Sequence, residues 1–339
     1  MSAPAITADF IMRIGFGFWA SKALFSAVEL GLFTRLAKGP ADGTVLSRDL
    51  GLHKRSARDF LDTLVALHLL ERDGETYANT PDADRYLDRG KPSYIGGVLD
   101  LASQRLWSSW GSLTEALQTG LPQNERKEGA GNDLFEAVYN DPERLRIFLK
   151  GMTGTSLPTA QRLAELFPWK QVRTFADIGT AEGGLPVTIA REHPHLKGIG
   201  FDLPQVRPVF EDYVEANDLA GRVVFHGGDF FKEPLPTADV LVMGHILHDW
   251  NQEEKDVLLA KAYDALPSGG ALIVYEMLID DDRQENVMGL LMSLNMLVET
   301  TGGFDYTGAD CVGWMRSAGF RDTRVEHLAG PYWAVIGIK

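Results

Sequence analysis

The ten residues LVMGHILHDW, positions 241–250, run from an apolar stretch into His245, His248, Asp249 and Trp250. Two imidazoles three residues apart, with a carboxylate beside the second, suit either proton transfer or metal ligation. A metal needs three or four converging donors, and His245 should not face the same point as His248 and Asp249 while it still belongs to a strand. No histidine occurs between 249 and 326 to complete a ligand set. The segment therefore reads either as a proton-transfer site or as a strand running into a turn, rather than as a metal site, with His245 packed or bonded to solvent. An imidazole of ordinary pKa, about 6.5, is mostly neutral near pH 7 and can accept a proton.

Such residues need elements to hold them. From residue 171 the chain alternates apolar strands with amphipathic helices. The strands are RTFADIG (173–179), GIGFDL (198–203), VVFHG (223–227), ADVLVMG (238–244) and GALIVYEMLI (270–279), then a terminal pair around TRVEHLA and YWAVIGIK. The helix QEEKDVLLAKAYDAL is expected to bury Val257, Leu258, Ala262 and Leu266 on one face. Alternation at this spacing predicts an α/β fold with a doubly wound, mostly parallel, Rossmann-like sheet, whose ligands bind past the C-terminal strand ends.

Three of those ends carry acids. The first is ADIGTAEGG (176–184), where Asp177 closes a buried strand and Gly179 and Gly183 let backbone amides approach a ligand. The second strand ends at Asp202, 25 residues beyond Asp177, placed to accept hydrogen bonds from two ribose hydroxyls. The third is followed by GGDFF, in which Asp229 suits an adenine amino group and Phe230 an adenine face. There is neither GxGxxG nor a Walker lysine, so pyrophosphate and nucleoside triphosphates are poorly served. A ligand with a cationic amino-acid part, a ribose and an adenine, and no phosphate, satisfies all three ends.

The other half has a different texture. FGFWASKALFSAVELGLF places apolar groups on nearly every face, as expected of a helix buried on two sides in a core or subunit interface. TVLSRDLGLHKRSARDFLDTLVALHLL reads as two helices broken at Gly51, and ERDGETYANT as a hairpin turning at Asp73-Gly74. Helix, turn, helix and wing form a winged-helix pattern, which raises a competing reading as a DNA-binding regulator with HKRSAR opening its recognition helix. Residues 1–100 hold 12 Lys and Arg against 13 Asp and Glu, too few for a phosphate-neutralising face. The net charge of −14 sits almost wholly in residues 171–339, with 13 basic and 26 acidic side chains, which would repel nucleic acid. One cysteine, Cys311, excludes an internal disulfide, and Lys22 and Glu29 interrupt the most apolar early stretch. A cytoplasmic protein with no membrane span is expected. The domains read as a winged-helix dimerisation domain (1–100), a helical connector contributing to a substrate pocket (101–170) and a ligand-binding Rossmann-like domain (171–339).

Taken together, DIGTAEGG, GIGFDLPQV, GGDFF, HILHDW and ALPSGG, in this order, resemble the S-adenosylmethionine-dependent O-methyltransferases of the plant caffeate type and of bacterial secondary metabolism. The likeness extends upstream through DLFEAVYNDPERLRIFLKGM and covers nearly the whole chain. It implies S-adenosylmethionine as cofactor, a small, aromatic, hydroxyl-bearing acceptor, and a homodimer whose N-terminal half walls the neighbour's pocket. It implies His248 as the base that takes the acceptor's proton, Glu276 and Asp305 as the carboxylates flanking its ring, and Leu203 and Ser156 beside the cofactor. On the acceptor side it implies Asp249, Phe148, Met152 and Met296. Met292 joins them four residues before Met296 on one helix, and Trp107 and Trp110 either line the pocket mouth or pack.

Three departures from the family pattern stand out. Thr180 and Ala181 replace part of a glycine run, and Gly244 stands where a lysine or arginine is frequent, so a cofactor contact is missing there. Asp305 replaces a glutamate and is one methylene shorter. These changes keep a carbon, nitrogen or carboxylate acceptor open as an alternative, alongside a ligand-binding regulator without catalysis. Pocket shape rests on loops 120–132 and 280–310.

Overall fold

The computed structural model describes residues 6–91, 93–124, 139 and 141–339. Residues 125–132 of the first loop, and most of the DLFEAVYN stretch, lie outside the described residues. The chain divides into two compact units, 1–105 and 106–339.

The first unit builds a small core from Ala27, Val28, Leu32, Phe33, Leu46, Leu61, Leu64 and Tyr77. Strands β1 (Ala41–Asp42), β2 (Leu70–Asp73) and β3 (Thr76–Asn79) form an antiparallel sheet in the order β1-β3-β2. Helices Gly43–Asp49 and Ala57–Ala66 precede the β2–β3 wing, as the winged-helix reading requires. Tyr77 is buried to its hydroxyl, which donates to Asp62 at 2.8 Å, while Arg72 pairs with the same carboxylate at 2.6 Å. The helix Gly17–Glu29 is the one expected to be covered in a core or a subunit interface. Only its last turns bury residues, Ala27 and Val28, whereas Trp19 is 62% and Ile14, on the preceding helix, 68% exposed in the single chain.

In the second unit, β4 (Thr174–Ile178), β5 (Lys197–Asp202), β6 (Val223–Gly227), β7 (Val240–Gly244), β8 (Ala271–Glu276), β9 (Arg321–Ala329) and β10 (Tyr332–Ile338) make a seven-stranded sheet. Its order is β6-β5-β4-β7-β8-β10-β9, and only β10 runs against its neighbours. Period-two alternation sends Ala176, Ile178, Leu241, Met243, Leu272 and Val274 into one core and Phe175, Val240, Val242, Ile273 and Tyr275 into another on the opposite face. Burying each such large apolar side chain contributes about 1.5–3 kcal/mol before entropy is subtracted. The connection reverses direction between β4 and β7, so the crevice of a doubly wound sheet opens beyond Ile178 and Gly244.

Helix Gln252–Ala265 carries a capping box, in which the Asn251 side chain accepts from the Glu254 amide and Glu254 accepts from the Asn251 amide. Its buried face differs from the expected one. Leu258, Ala262 and Leu266 are buried, but Val257 is 47% exposed and Lys255 takes the inward place. Counting apolar residues misassigned that face because the position facing the site is occupied by a charge. No helix among the described residues is long and apolar enough to cross a membrane.

Candidate active site

The cofactor end is built from backbone. After β4 the chain turns through Gly179, Ala181 and Gly183, all with φ between +50° and +96°, before helix Gly184–Glu192 begins. A Cβ on Gly179 would lie 2.2 Å from Ile246 Cδ1, so only glycine lets this turn lie against the chain leaving β7. The amides of Gly179 and Thr180 donate to the Phe201 carbonyl at 2.8 and 3.2 Å. Asp202 then accepts from Ala181 N–H at 2.9 Å and Leu203 N–H at 2.8 Å, tying the β4 turn to the β5 end.

Both acids are buried, and burial raises them: Asp177 to about 7, and Asp202 to about 6 against the two amides. A buried carboxylate with unused lone pairs calls for donors. Asp229 is better compensated. It accepts from Phe231 N–H at 2.9 Å and pairs with Lys232 at 2.8 Å, and these contacts outweigh partial burial and lower its pKa. Phe230 stacks edge-on with Trp250 at 5.7 Å, which joins the adenine-side loop to the HDW segment.

Phe148, Met152 and Ser156 recur every four residues on helix Pro142–Leu166 and are all half-buried, so one face of one helix presents them together. Tyr139, unassigned in the sequence reading, lies against Phe148 at 6.3 Å and within the fields of Asp202 and Asp249, which with burial lift its hydroxyl well above the usual range. Gly244 has a physical explanation. A Cβ there would sit 1.9 Å from Tyr275 Cζ, because the Tyr275 ring fills the volume of a side chain at 244. The Tyr275 hydroxyl lies near Ser156 and Asp177, while burial holds it protonated. It brings a polar group to the place left by the missing basic residue.

His248 is almost fully buried in the short turn Leu247–Asp249 that follows β7. Its Nδ1 lies 3.2 Å from Asp305 Oδ1 and 3.4 Å from Glu276 Oε2, and its backbone N–H donates to Glu276 Oε1 at 3.4 Å. Asp249 Oδ1 is 3.7 Å from Nε2. The shorter Asp305 reaches the ring because its segment is drawn in, its amide donating to Ser293 Oγ at 3.2 Å. Burial opposes a charged ring, but Glu276, Asp305 and Asp249 outweigh it, so the imidazole is well above its ordinary range rather than near 6.5. Glu276 moves up as well, chiefly through burial. The cluster is therefore a stronger base than an isolated histidine.

Met296 is buried and Met292 half-buried on helix Val287–Glu299, where Asn295 accepts from Trp110 Nε1 at 2.8 Å. Trp110 is thereby held, whereas Trp107 is 38% exposed.

His245 corrects the expectation that it could not face His248. The strand ends at Gly244, His245 takes φ +56°, and its ring comes within 5.7 Å of the His248 ring. One donor atom each from His245, His248 and Glu276 lies within 4.8 Å of the others, and His245 Nε2 is buried without a hydrogen-bond partner among the described residues. Burial and the neighbouring His248 lower the His245 pKa to about 3, so it is neutral. This turn has no local signature, since a left-handed φ at a non-glycine residue is set by tertiary contacts.

Comparison with known proteins agrees with this geometry. An O-methyltransferase domain matches residues 110–321 and an O-methyltransferase dimerisation domain residues 12–89. The chain is 45% identical to the tetracenomycin polyketide synthesis 8-O-methyl transferase TcmO of Streptomyces glaucescens, over 97% of this chain and 96% of that one. It is 38% identical to the N,N-dimethyltransferase OxyT of Streptomyces rimosus, over 99% and 98%. Human N-acetylserotonin methyltransferase, solved in complex with S-adenosylmethionine, superposes with a TM-score of 0.92 at 29% identity, covering 100% and 99% of the two chains. With three acids at adjacent strand ends, a phosphate-free crevice and a carboxylate-flanked histidine beside it, the chain belongs to the S-adenosylmethionine-dependent O-methyltransferase family.

Proposed function

We propose that the protein methylates a hydroxyl of a small aromatic acceptor, such as a polyketide phenol, with His248 as the general base. The observation that carries this reading is the placement of His248. Its Nδ1 faces Asp305 and Glu276, which leaves Nε2 as the edge available to an incoming hydroxyl. Asp202 would hold the ribose, Asp177 and Ser156 the amino-acid end, Asp229 and Phe230 the adenine, with Gly179, Gly183 and Leu203 supplying backbone. Bound S-adenosylmethionine supplies a methyl group activated by its sulfonium. Phe148, Met152, Met292 and Met296 form a soft apolar lining that suits a flat ring and excludes water, and Asp249 sits at its polar end. As the acceptor oxygen attacks the methyl carbon, its proton moves to His248 Nε2, and the imidazolium is held by Glu276 and Asp305. A phenol has pKa about 10, so a base raised above the ordinary imidazole range is matched to it.

The protein is proposed to work as a cytoplasmic homodimer without nucleic acid or metal. The dimerisation-domain match and the exposed apolar residues at 10–19 support the dimer. For the metal, a donor role for His248 would compete with its role as base. OxyT, named as an N,N-dimethyltransferase, favours a second reading with a nitrogen acceptor. Incubation with isotopically labelled S-adenosylmethionine and matched phenols, amines and acids, with and without a chelator, decides among these. Label should enter the phenols irrespective of chelator; label only in amines, or activity lost with the metal, would replace this reading.

A further inference from the structure

Lys255 is fully buried on helix Gln252–Ala265, an uncommon place for an ammonium. Its Nζ donates to the Trp250 carbonyl at 2.5 Å and the Phe304 carbonyl at 3.2 Å, and lies 3.3 Å from the Phe304 ring centroid. Tyr306 and Trp314 stand 5.5 and 5.8 Å away. The two carbonyls belong to different segments. Trp250 directly follows His248 and Asp249, and Phe304 directly precedes Asp305, so one ammonium fastens together the two stretches that carry the base and its carboxylate partner.

We propose that Lys255 is the positioning residue of the proton-accepting cluster, clamping the HDW segment to the Asp305 segment and limiting, through its charge, how tightly the cluster holds a proton. This inference rests on His248 as the base. The charge balance argues for it. Asp249, Glu276 and Asp305 bear on Lys255 as well as on His248, with Glu254 on its own helix adding a fourth carboxylate. The other titratable neighbours do not supply a balancing cation: burial keeps His245 neutral and holds the Tyr306, Tyr332 and Cys311 protons in place. Without Lys255, three carboxylates would face His248 alone, and the resting imidazolium would be harder to deprotonate. Burial lowers Lys255 to about 8 against those carboxylates, so it remains mostly charged near pH 7.

A pH profile separates this role from simple packing. Lys255→Gln keeps two N–H donors for the two carbonyls but removes the charge, whereas Lys255→Arg keeps the charge. In kcat/KM against pH, K255Q should move the acid limb upward by about 0.5–1 pH unit, and K255R should leave it in place even if kcat falls. The His248 ring nitrogens of the S-adenosylhomocysteine complex, followed by NMR on labelled histidine, should titrate with the same displacement. A uniform loss of kcat in K255Q with an unmoved limb would reduce Lys255 to a packing residue and overturn the proposal. If K255Q does not fold, Phe304→Leu, which removes the aromatic face and makes the charge costlier to keep, should shift the limb in the same direction by less; no shift there overturns it equally. His248→Ala distinguishes the two levels: full turnover in that variant sinks the base itself, whereas lost turnover beside an unshifted K255Q sinks only the role of Lys255.

Discussion

The two ends of the crevice are made of different material. At the β4–β6 end, amides of Ala181 and Leu203 fix Asp202, and glycines admit the turn, so the geometry depends on backbone close in sequence to each strand. At the β7–β8 end, His248, Glu276 and Asp305 meet from segments up to 57 residues apart, held by side chains and by a buried ammonium. On the proposed reading the first end is a binding surface, while the second must gain and lose a proton, which side-chain charges can tune.

Breaking the second end should therefore affect turnover and not affinity. His248→Ala is expected to lower kcat about 10²–10⁴-fold while S-adenosylhomocysteine affinity by calorimetry stays within about twofold. Parallel losses of both would mean that the ends are not separable. Breaking the first end should do the reverse. Asp202→Ala removes a carboxylate that two ribose hydroxyls can share, with charge-assisted bonds of about 1.5–3 kcal/mol each, so cofactor affinity should fall about 10²–10⁴-fold with kcat at saturation largely kept. An unchanged dissociation constant would remove Asp202 from the ribose site.

The same contrast explains what was legible in the sequence. All seven large-sheet strands, the wing and the three acid-bearing strand ends were readable because period-two burial and acids within two residues of a strand's end are local signals. His248 was readable as part of HDW. What escaped notice depends on distant packing: Lys255 replaced Val257 on the buried face, Tyr275 filled the space above Gly244, Tyr139 came between the crevice acids, and His245 left its strand with a left-handed turn. Each is set by a neighbour more than 20 residues away or by a residue type that hydrophobic patterning ranks low. Glu276 and Asp305 became visible only through a family resemblance.

A finer test of the β7–β8 end uses protons. Three carboxylates raise the proton affinity of His248, and transfer needs its neutral form, so kcat/KM should climb with pH through a midpoint above about 6.5. Asp305→Asn deletes one of those charges. Its acid limb should shift downward by about one pH unit, and the rate at high pH should fall about tenfold because the imidazolium loses a partner. An upward shift would show that Asp305 acts on the proton balance in the opposite sense from its geometry.

The smallest effect probes where the two ends touch. Tyr275 stands on β8, the strand that ends in Glu276, but its hydroxyl lies near Ser156 and its ring fills the place above Gly244. If that hydroxyl positions Ser156 for the amino-acid part of the cofactor, Tyr275→Phe and Ser156→Ala each break one neutral hydrogen bond. Such bonds contribute about 0.5–1.5 kcal/mol, so each variant should weaken S-adenosylhomocysteine binding about 2–10-fold. Because both changes break the same contact, the double variant should lose little more than either single one, a coupling that a double-mutant cycle measures directly. Full additivity would mean that Ser156 and Tyr275 reach the cofactor independently, and that the space above Gly244 is filled only for packing.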